Sequence, residues 1–325
     1  RNKVKGLGMY SKIIGTGHYL PENVVTNYDL EKKIETSHDW IVERTGIHQR
    51  YIAAEGETAT SFGVNAARSA LENAGIDAEE LDLIIVATST PDKVYPSTAT
   101  LIQAELGNRR APSFDVTAAC SGFIYALSVA DNFIKAGSAK KALIIGTEVY
   151  SRLLNWDDRS TCVLFGDGAA AIVLEASEEA GVLSTHIHSD GRHADLLQVD
   201  RPYTDDVDGN PYVQMKGSEV FKHAVSKLHE IVAETLTSNN IEADQVDWLI
   251  PHQANLRIIN ATAKKMGLDS SKIIITVDQH ANTSAASIPL ALDAARRDGR
   301  VKEGQLVLLE AFGGGFTWGS ALIRM

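Results

Sequence analysis

Cysteines and long apolar segments are scarce in this sequence. Its 325 residues include only two cysteines, Cys120 and Cys162, which are too few for a disulfide framework. No apolar run reaches the roughly 18 residues that cross a membrane, and no secretory signal region is recognisable near the start. These absences favour a protein of the reducing cytoplasm. The formal charge of −11 argues against nucleic acid and anionic membranes as partners, because phosphate binding needs a concentrated basic surface.

The chain has the apolar content of a large globular protein. Hydrophobic residues make up 44% of it and charged residues 22%, which is enough to bury an extensive core. Residues 1–8 are interpreted as a remnant of cloning, because a plausible native start follows them. Apolar runs without alternation, at 83–87, 142–145, 169–174 and 306–309, are typical of strands covered on both faces by helices. They predict a layered α/β protein.

An internal repeat is the strongest sign of how the chain is organised. Residues 76–85 match residues 241–250 without a gap, at an offset of 165, the distance from Ile76 to Ile241. The turn at Cys120 then matches the turn at Asn282, at an offset of 162, and a helical pattern follows each turn. The period is far too long for a solenoid, so the matches predict one duplicated α/β unit. We expect two halves in one body, residues 9–182 and residues 183–325.

Cys120 is the candidate nucleophile. It lies between a short strand and a helix predicted over 122–135, so its sulfur should sit at a helix N-terminus. Unpaired N–H groups and the positive end of the helix dipole lower a thiol pKa there from its usual value of about 8.5. The alternative is a buried, inert cysteine. Cys162, in the strand-like run 160–165, is expected to be of that structural kind.

Two further residues of interest lie at the ends of predicted elements. His252 follows the strand predicted at 248–250, and ligand sites in α/β sheets form beyond the carboxyl ends of strands. Asn282 is placed by the repeat opposite Cys120, so each is expected to open a helix. Taken alone, either residue is a cap or a satisfied polar group. The triple glycine at 313–315 lets backbone N–H groups approach a bound atom, which indicates an oxyanion site.

Other polar groups do not indicate a metal or a nucleotide. His186, His188, Asp190 and His193 lack the fixed spacing of metal ligands, and no metal is expected. Glycine pairs at positions 15 and 17 and at 166 and 168 lack the rest of a dinucleotide fingerprint and are interpreted as turns. The polar stretch 184–216 is expected to form a surface excursion that rims a pocket.

One face of a predicted helix is basic in an otherwise acidic protein. Arg257, Lys264 and Lys265 fall at positions i, i+7 and i+8 of a helix that begins near Asn255, so they share a face. Such a face is usually only solvated. Directly after His252, it is also a candidate dock for an acidic partner.

Four segments together resemble a known family, β-ketoacyl-[acyl-carrier-protein] synthase III, the initiating condensing enzyme of bacterial type II fatty acid synthesis. These segments are 115–122, 251–257, 280–284 and 309–320, and the similarity runs over residues 9–325. The resemblance implies the thiolase-like fold, five layers in the order α-β-α-β-α built from two duplicated halves, and a homodimer. It also implies a catalytic triad of Cys120, His252 and Asn282.

The resemblance further implies a reaction. Cys120 would take an acyl group, acetyl in the simplest case, from acyl-CoA, with the backbone N–H groups of Cys120 and Gly314 holding the oxyanion. Malonyl-[acyl-carrier-protein] would then lose CO2, and its enolate, held by His252 and Asn282, would attack the acyl-enzyme to give 3-oxoacyl-[acyl-carrier-protein]. The acyl-CoA is a substrate, and no cofactor is required.

Further site residues follow from the same resemblance. The coenzyme A tunnel would be formed by Thr36, Trp40, Arg44, Arg159, Gly217 and Asn255, with the adenine between Trp40 and Arg159. The carrier protein would dock on Gln253, Ala254, Asn255, Leu256, Arg257, Lys264, Lys265 and Lys222. Tyr95 departs from the family, whose members carry Phe where it would cap the acyl pocket of the other subunit.

Three other functions use the same residues. A Cys-His-Asn hydrolase would release a free acid, but it would leave the repeat unexplained. A non-catalytic partner of a condensing enzyme is a second alternative, against which the intact triad weighs. The third is a related condensing enzyme that takes a longer or branched primer or acts in secondary metabolism.

Overall fold

A computed structural model describes residues 9–200 and 210–325 of the chain. The interpretation of residues 1–8 as a cloning remnant lies outside these ranges. The strands are β1 (Tyr10–Tyr19), β2 (Val24–Thr26), β3 (Gln49–Tyr51), β4 (Leu83–Ala87), β5 (Ser113–Val116), β6 (Lys141–Glu148), β7 (Gly168–Ser177), β8 (Val182–Ser189), β9 (Leu197–Gln198), β10 (Gln214–Met215), β11 (Trp248–Pro251), β12 (Leu306–Gly313) and β13 (Thr317–Arg324).

The helices range from one turn to 23 residues. They are α1 (Asn27–Glu31), α2 (His38–Thr45), α3 (Ala59–Ala74), α4 (Thr98–Leu106), α5 (Gly122–Lys135), α6 (Gly217–Asn239), α7 (Leu256–Met266), α8 (Val277–His280) and α9 (Ser287–Arg297). Within the described ranges, none of them combines the length and apolarity needed to cross a membrane.

Two main sheets repeat one topology. The first has the order β1-β7-β6-β4-β5 and the second the order β8-β13-β12-β11. In both, the two strands at one end run antiparallel to the next, while β4 pairs with β6, and β11 with β12, in parallel. A parallel bridge between Leu249 and Ile273 stands beside β11 where β5 stands beside β4. The duplicated α/β unit predicted from the sequence is therefore present.

The sheets and helices stack in five layers. Helices α3 and α4 cover the outer face of the first sheet, and α6 and α7 that of the second. Helices α5 and α9 contact both sheets and form the middle layer. In β4, Leu83 and Ile85 pack with the middle helices, whereas Ile84 and Val86 pack with α3. Burial of both faces explains why these strands are uninterrupted apolar runs.

The structure corrects the register of the repeat. The short 3-10 helix Ala119–Ser121 corresponds to Ser284–Ala286, and β6 corresponds to β12, both at the offset of 165 that relates β4 to β11. The counterpart of Cys120 is therefore Ala285, and the predicted equivalence of Cys120 with Asn282 was wrong. Helix α9 has 11 residues and α5 has 14, so matching the two helices at their C-terminal glycines shifted the register by three.

Other local predictions had mixed outcomes. The helix predicted over 122–135 is α5, with the same bounds. The strand-like run 160–165 is a series of turns, in which Cys162 is fully buried in the core. The polar stretch 184–216 begins as strand β8, not as a loop. We propose that the boundary between the halves lies in the connection from β7 to β8, where the chain passes from the first sheet to the second.

Candidate active site

Cys120 lies in a tight turn that leads into α5. The preceding residue, Ala119, has a φ of 46°, a left-handed backbone conformation that residues other than glycine rarely adopt. The hydroxyl of Ser121 donates to the Thr317 carbonyl at 3.0 Å, and the Thr317 hydroxyl donates to the Ala118 carbonyl at 2.9 Å. These cross-links to β13 fix the turn and with it the position of the sulfur.

The environment of the Cys120 thiol differs from the expectation. Its side chain is buried, and burial raises the pKa of Cys120 to about 12. The predicted lowering of this pKa was wrong, because the free-energy cost of removing the thiolate from water exceeds the stabilisation that the helix N-terminus gives it. The resting sulfur is a neutral thiol at pH 7, so it must lose its proton as it attacks.

His252 follows the last residue of β11, as predicted from the sequence. Its backbone N–H donates to the Glu310 carbonyl at 2.7 Å, and its Nδ1 lies 2.5 Å from the Ser287 hydroxyl. Burial lowers the pKa of His252 to about 3, so the imidazole is neutral around pH 7. A neutral imidazole carries a single N–H.

Asn282 is held by the other half of the molecule. Its backbone N–H donates to the Leu164 carbonyl at 2.9 Å, and its own carbonyl accepts from Gly166 at 3.0 Å. Its Oδ1 accepts from the backbone N–H of Ser284 at 2.8 Å. Among the described residues the Nδ2 group has no hydrogen-bond partner, so it is left as a donor. The orientation of this amide is thus set by its neighbours.

Cys120, His252 and Asn282 meet at one cavity, which we call the main chamber. It encloses about 740 Å³. Its inner walls are mostly apolar: Tyr150, Val163, Leu164, Phe165, Leu197, Met215, Val220, Phe221, Ala224, Leu228, Ile258 and Phe312. The exposed cations Arg44, Lys222 and Arg257 also border it. The three predicted catalytic residues are thus brought together in a space suited to a ligand with an apolar part and an anionic part.

Cys120 also lines a second cavity of about 1040 Å³, which we call the second chamber. Its walls include the segments 88–94 and 197–200, together with Gly314. A Cβ at Gly313 would lie 2.7 Å from the backbone nitrogen of Cys120, so only glycine permits this approach. The sulfur therefore stands between two cavities, and residues of the polar stretch predicted to rim a pocket border both.

Trp40 is in contact with two guanidinium groups. The Arg44 and Arg159 carbons lie 4.5 Å and 4.9 Å from the indole centroid, and Arg159 donates to the Glu35 carbonyl at 2.9 Å, next to Thr36. Arg159 therefore rests on the ring with no gap for the expected adenine, and an aromatic ligand between them would have to displace it. Of the residues predicted for coenzyme A, Trp40, Arg44, Gly217 and Asn255 line the main chamber.

Most residues of the predicted carrier-protein face are accessible to solvent. Arg257, Lys264 and Lys265 are exposed on α7, as is Lys222 on α6. Residues Ala254, Asn255 and Leu256 are half-buried where α7 begins. Gln253 is the exception.

Gln253 cannot take part in docking, because its side chain is fully buried. Its amide donates to the carbonyls of Pro251 and Ile274 and accepts from the N–H groups of Thr276 and Val277. It therefore braces the loop that carries His252 from within, a role that sequence reasoning missed.

Two remaining predictions concern residues away from the triad. His186 and His188 both hydrogen-bond to Glu234, at 3.0 and 2.8 Å, which gives them an ordinary role at the surface of the second sheet.

Tyr95 is 84% exposed and Val94 is 62% exposed, an unusual amount of uncovered apolar surface beside the second chamber.

Comparison with known proteins decides the family. The model of the family described as 3-Oxoacyl-[acyl-carrier-protein (ACP)] synthase III matches residues 114–191, and the model of its C-terminal part matches residues 236–325. Beta-ketoacyl-[acyl-carrier-protein] synthase III of Methylococcus capsulatus is 59% identical over 320 residues, covering 98% of this chain and 100% of that protein. The chain belongs to the β-ketoacyl-[acyl-carrier-protein] synthase III family.

Solved structures place the fold in the same family. 3-Oxoacyl-[acyl-carrier-protein] synthase III from Aquifex aeolicus aligns with a TM-score of 0.93 at 50% identity, over 97% of this chain and 100% of that one. The priming β-ketosynthase of the R1128 polyketide pathway aligns with a TM-score of 0.93 at 35% identity, over 97% and 96%. The five-layered body is thiolase-like, as the family resemblance implied.

The sequence of this β-ketoacyl-[acyl-carrier-protein] synthase III family member did not reveal every residue of the site. Ser287 and Gln253 support His252, and Leu164 and Gly166 hold Asn282. Each of these contacts joins residues distant in sequence or uses the backbone alone. The position of Ser287 at the first turn of α9 was the available signal, but it is also what an ordinary helix start looks like.

Proposed function

We propose that this chain condenses an acyl-CoA primer, acetyl-CoA in the simplest case, with malonyl-[acyl-carrier-protein]. The products are 3-oxoacyl-[acyl-carrier-protein], CoA and CO2, and the reaction starts fatty acid synthesis. The observation that carries the proposal is the meeting of Cys120, His252 and Asn282 at one chamber with a cationic border. Membership of the synthase family supports the same reaction.

In the first stage Cys120 attacks the thioester carbon of the acyl-CoA. The carbon forms a bond to the sulfur, and the bond to the CoA sulfur breaks. The proton lost by the Cys120 thiol is balanced by the proton gained by the CoA thiol. Backbone N–H groups of Cys120 and Gly314 are the proposed oxyanion donors, which the close approach of 313–314 to the Cys120 turn supports.

In the second stage malonyl-[acyl-carrier-protein] replaces CoA in the main chamber. The malonyl carboxylate leaves as CO2, and its electron pair remains on the adjacent carbon as an enolate. We assign the enolate oxygen to the donors of His252 and Asn282. The carbanion attacks the acyl carbon, the bond to Cys120 breaks, and the thiolate takes a proton from water. The balance of this reaction uses neither a redox cofactor nor a metal.

Three assignments extend the proposal. Trp40, Arg44, Arg159, Thr36, Gly217 and Asn255 are proposed to bind CoA, with adenine displacing Arg159 from Trp40. A homodimer is proposed because a second copy would cover Tyr95 and Val94 beside the second chamber. The cytoplasm is proposed as the location, since Cys120 and Cys162 are both free thiols.

One assay separates this function from its alternatives. The protein is mixed with acetyl-CoA and malonyl-[acyl-carrier-protein], and the products are separated and identified. Acetoacetyl-[acyl-carrier-protein] is the expected product. Free acetate would indicate a hydrolase instead, and absence of any transfer to Cys120 would indicate a non-catalytic partner.

The basic face of α7 should bind the carrier protein through its charge. Reversing Lys264 to Glu is expected to raise the KM for malonyl-[acyl-carrier-protein] about fivefold at low ionic strength, because like charges slow the encounter. Added salt should reduce the difference. Acylation of Cys120 by acetyl-CoA should not change, since Lys264 does not line the main chamber.

The matched control for this charge reversal is Arg109→Glu. Arg109 is exposed after α4, in the outer layer of the other sheet, and its reversal changes the net charge equally. An equal effect of both substitutions would show that only net charge matters, and would remove α7 from the docking surface.

Tyr95 should influence the choice of primer. In the proposed homodimer, Tyr95 caps the acyl pocket of the other subunit. Tyr95→Phe removes a hydroxyl and makes room in that pocket for about one methylene, so kcat/KM for butyryl-CoA relative to acetyl-CoA should rise roughly threefold to tenfold. The measurement is the kcat/KM of each of a series of acyl-CoAs. Tyr10→Phe, at the start of β1, is the control. An unchanged profile in Tyr95→Phe would show that this residue does not determine primer length.

A further inference from the structure

The side chain of Ser287 lies behind the imidazole of His252. Ser287 is the first residue of α9 and is buried. Its Oγ is 2.5 Å from His252 Nδ1, and it accepts a hydrogen bond from the backbone N–H of Gln253 at 3.3 Å. Within the part of the chain that the structure describes, this hydroxyl has no third partner. Its own proton therefore has one available acceptor, His252 Nδ1.

The hydrogen-bond partners of the Ser287 hydroxyl distinguish the two neutral forms of the imidazole. If Nδ1 carries the proton, it donates to Oγ, and the buried Ser287 proton is left without an acceptor. If Nε2 carries the proton, Ser287 donates to Nδ1 and still accepts from Gln253, so each of these groups is paired. A buried hydroxyl without an acceptor loses its hydrogen bond to water with no replacement. The second form is therefore the more stable one.

Two features keep this arrangement in place. Burial lowers the pKa of His252 to about 3, so near pH 7 the ring does not take a second proton and remains in one of its two neutral forms. The Gln253 amide makes four hydrogen bonds to the surrounding backbone, which hold fixed the peptide that donates to Ser287. The direction of the hydrogen bond to His252 follows from this fixed frame.

We propose that Ser287 is a positioning residue that holds His252 protonated on Nε2. Its use in catalysis rests on the proposed function, because the free Nε2–H then donates to the thioester oxygen of the malonyl group. In this form His252 stabilises the enolate and is not the resting acceptor of the Cys120 proton. By keeping the proton on Nε2, Ser287 makes His252 a hydrogen-bond donor for the second stage of the reaction.

The protonated nitrogen can be identified without any substrate. Protein labelled with ¹⁵N in histidine is examined by NMR, and the His252 signals are assigned by their loss in His252→Ala. The expected spectrum of the unsubstituted protein shows Nδ1 bare and Nε2 protonated, and Ser287→Ala should shift the signals toward a mixture of both forms. A proton on Nδ1 in the unsubstituted protein would overturn the proposal.

Kinetics tests the consequence of this positioning. In Ser287→Ala, release of CO2 from malonyl-[acyl-carrier-protein] should fall roughly 10-fold to 100-fold, while acylation of Cys120 by acetyl-CoA changes less than about twofold. Ser287→Thr, which keeps the hydroxyl, should recover most of the loss. An equal fall in both steps would indicate a merely structural role and overturn the proposal. Failure of the unsubstituted protein to condense would instead refute the proposed function, and the NMR result would still decide the form of His252.

Discussion

Cys120→Ala is expected to abolish transfer of the acetyl group from acetyl-CoA to the protein. The sulfur is the only atom at the junction of the two chambers proposed to form a covalent bond, so condensation should fall by at least about 10³-fold. The measurement is retention of radioactive acetyl on denatured protein, followed by peptide mapping. Decarboxylation of malonyl-[acyl-carrier-protein] should persist, because the donors of His252 and Asn282 remain.

Cys162→Ala is the matched control for the thiol. Cys162 is fully buried in the turns that precede β7, and burial raises its pKa to about 11. The control should keep both labelling and condensation. Stable label on the Cys120→Ala protein, or its loss in Cys162→Ala with the fold intact, would show that the wrong cysteine was assigned.

Asn282→Asp is expected to separate the two stages of the reaction. The carboxylate can still accept from the Ser284 N–H as Oδ1 does now, but the Nδ2 donor becomes an acceptor. An enolate oxygen facing a carboxylate is repelled, so condensation should fall roughly 10²-fold to 10³-fold. Acylation of Cys120 should fall less than about tenfold, since the first stage does not use this donor.

Single-turnover measurements test this separation. The acyl-enzyme is formed first with labelled acetyl-CoA, and malonyl-[acyl-carrier-protein] is then added while the loss of label is followed. Asn282→Ala, which lacks the donor without adding a charge, should show a similar but smaller defect. Full condensing activity in either variant would remove Asn282 from the catalytic set.

Sequence predicted the parts of this molecule that depend on local pattern. The bounds of α5 followed from its helical pattern and the buried strand β4 from an uninterrupted apolar run, and His252 was located by its place after a strand. Cys120 and Asn282 were recognised by their motifs and then found at one chamber. These features depend on neighbouring residues, which the sequence displays directly.

Features that depend on distant contacts were not predictable in the same way. The raised pKa of Cys120 results from burial by both halves of the molecule, whereas only the helix start is visible locally. Ser287 lies 35 residues from its partner His252. The burial of Gln253 likewise depends on the segment at Ile274. In each case tertiary packing, not local pattern, determines the chemistry of the side chain.

The corrected register places Ala285 where Cys120 stands in the other half. Ala285 is packed in the middle layer, and a Cβ at Gly146 would lie 2.3 Å from its carbonyl oxygen. Of the two equivalent turns, only the first carries a thiol, and the second has amide and hydroxyl groups at Asn282 and Ser287 instead. Under the proposed mechanism the two copies have diverged into an electrophile-holding copy and a carbanion-forming copy, and neither one alone contains a complete reaction centre.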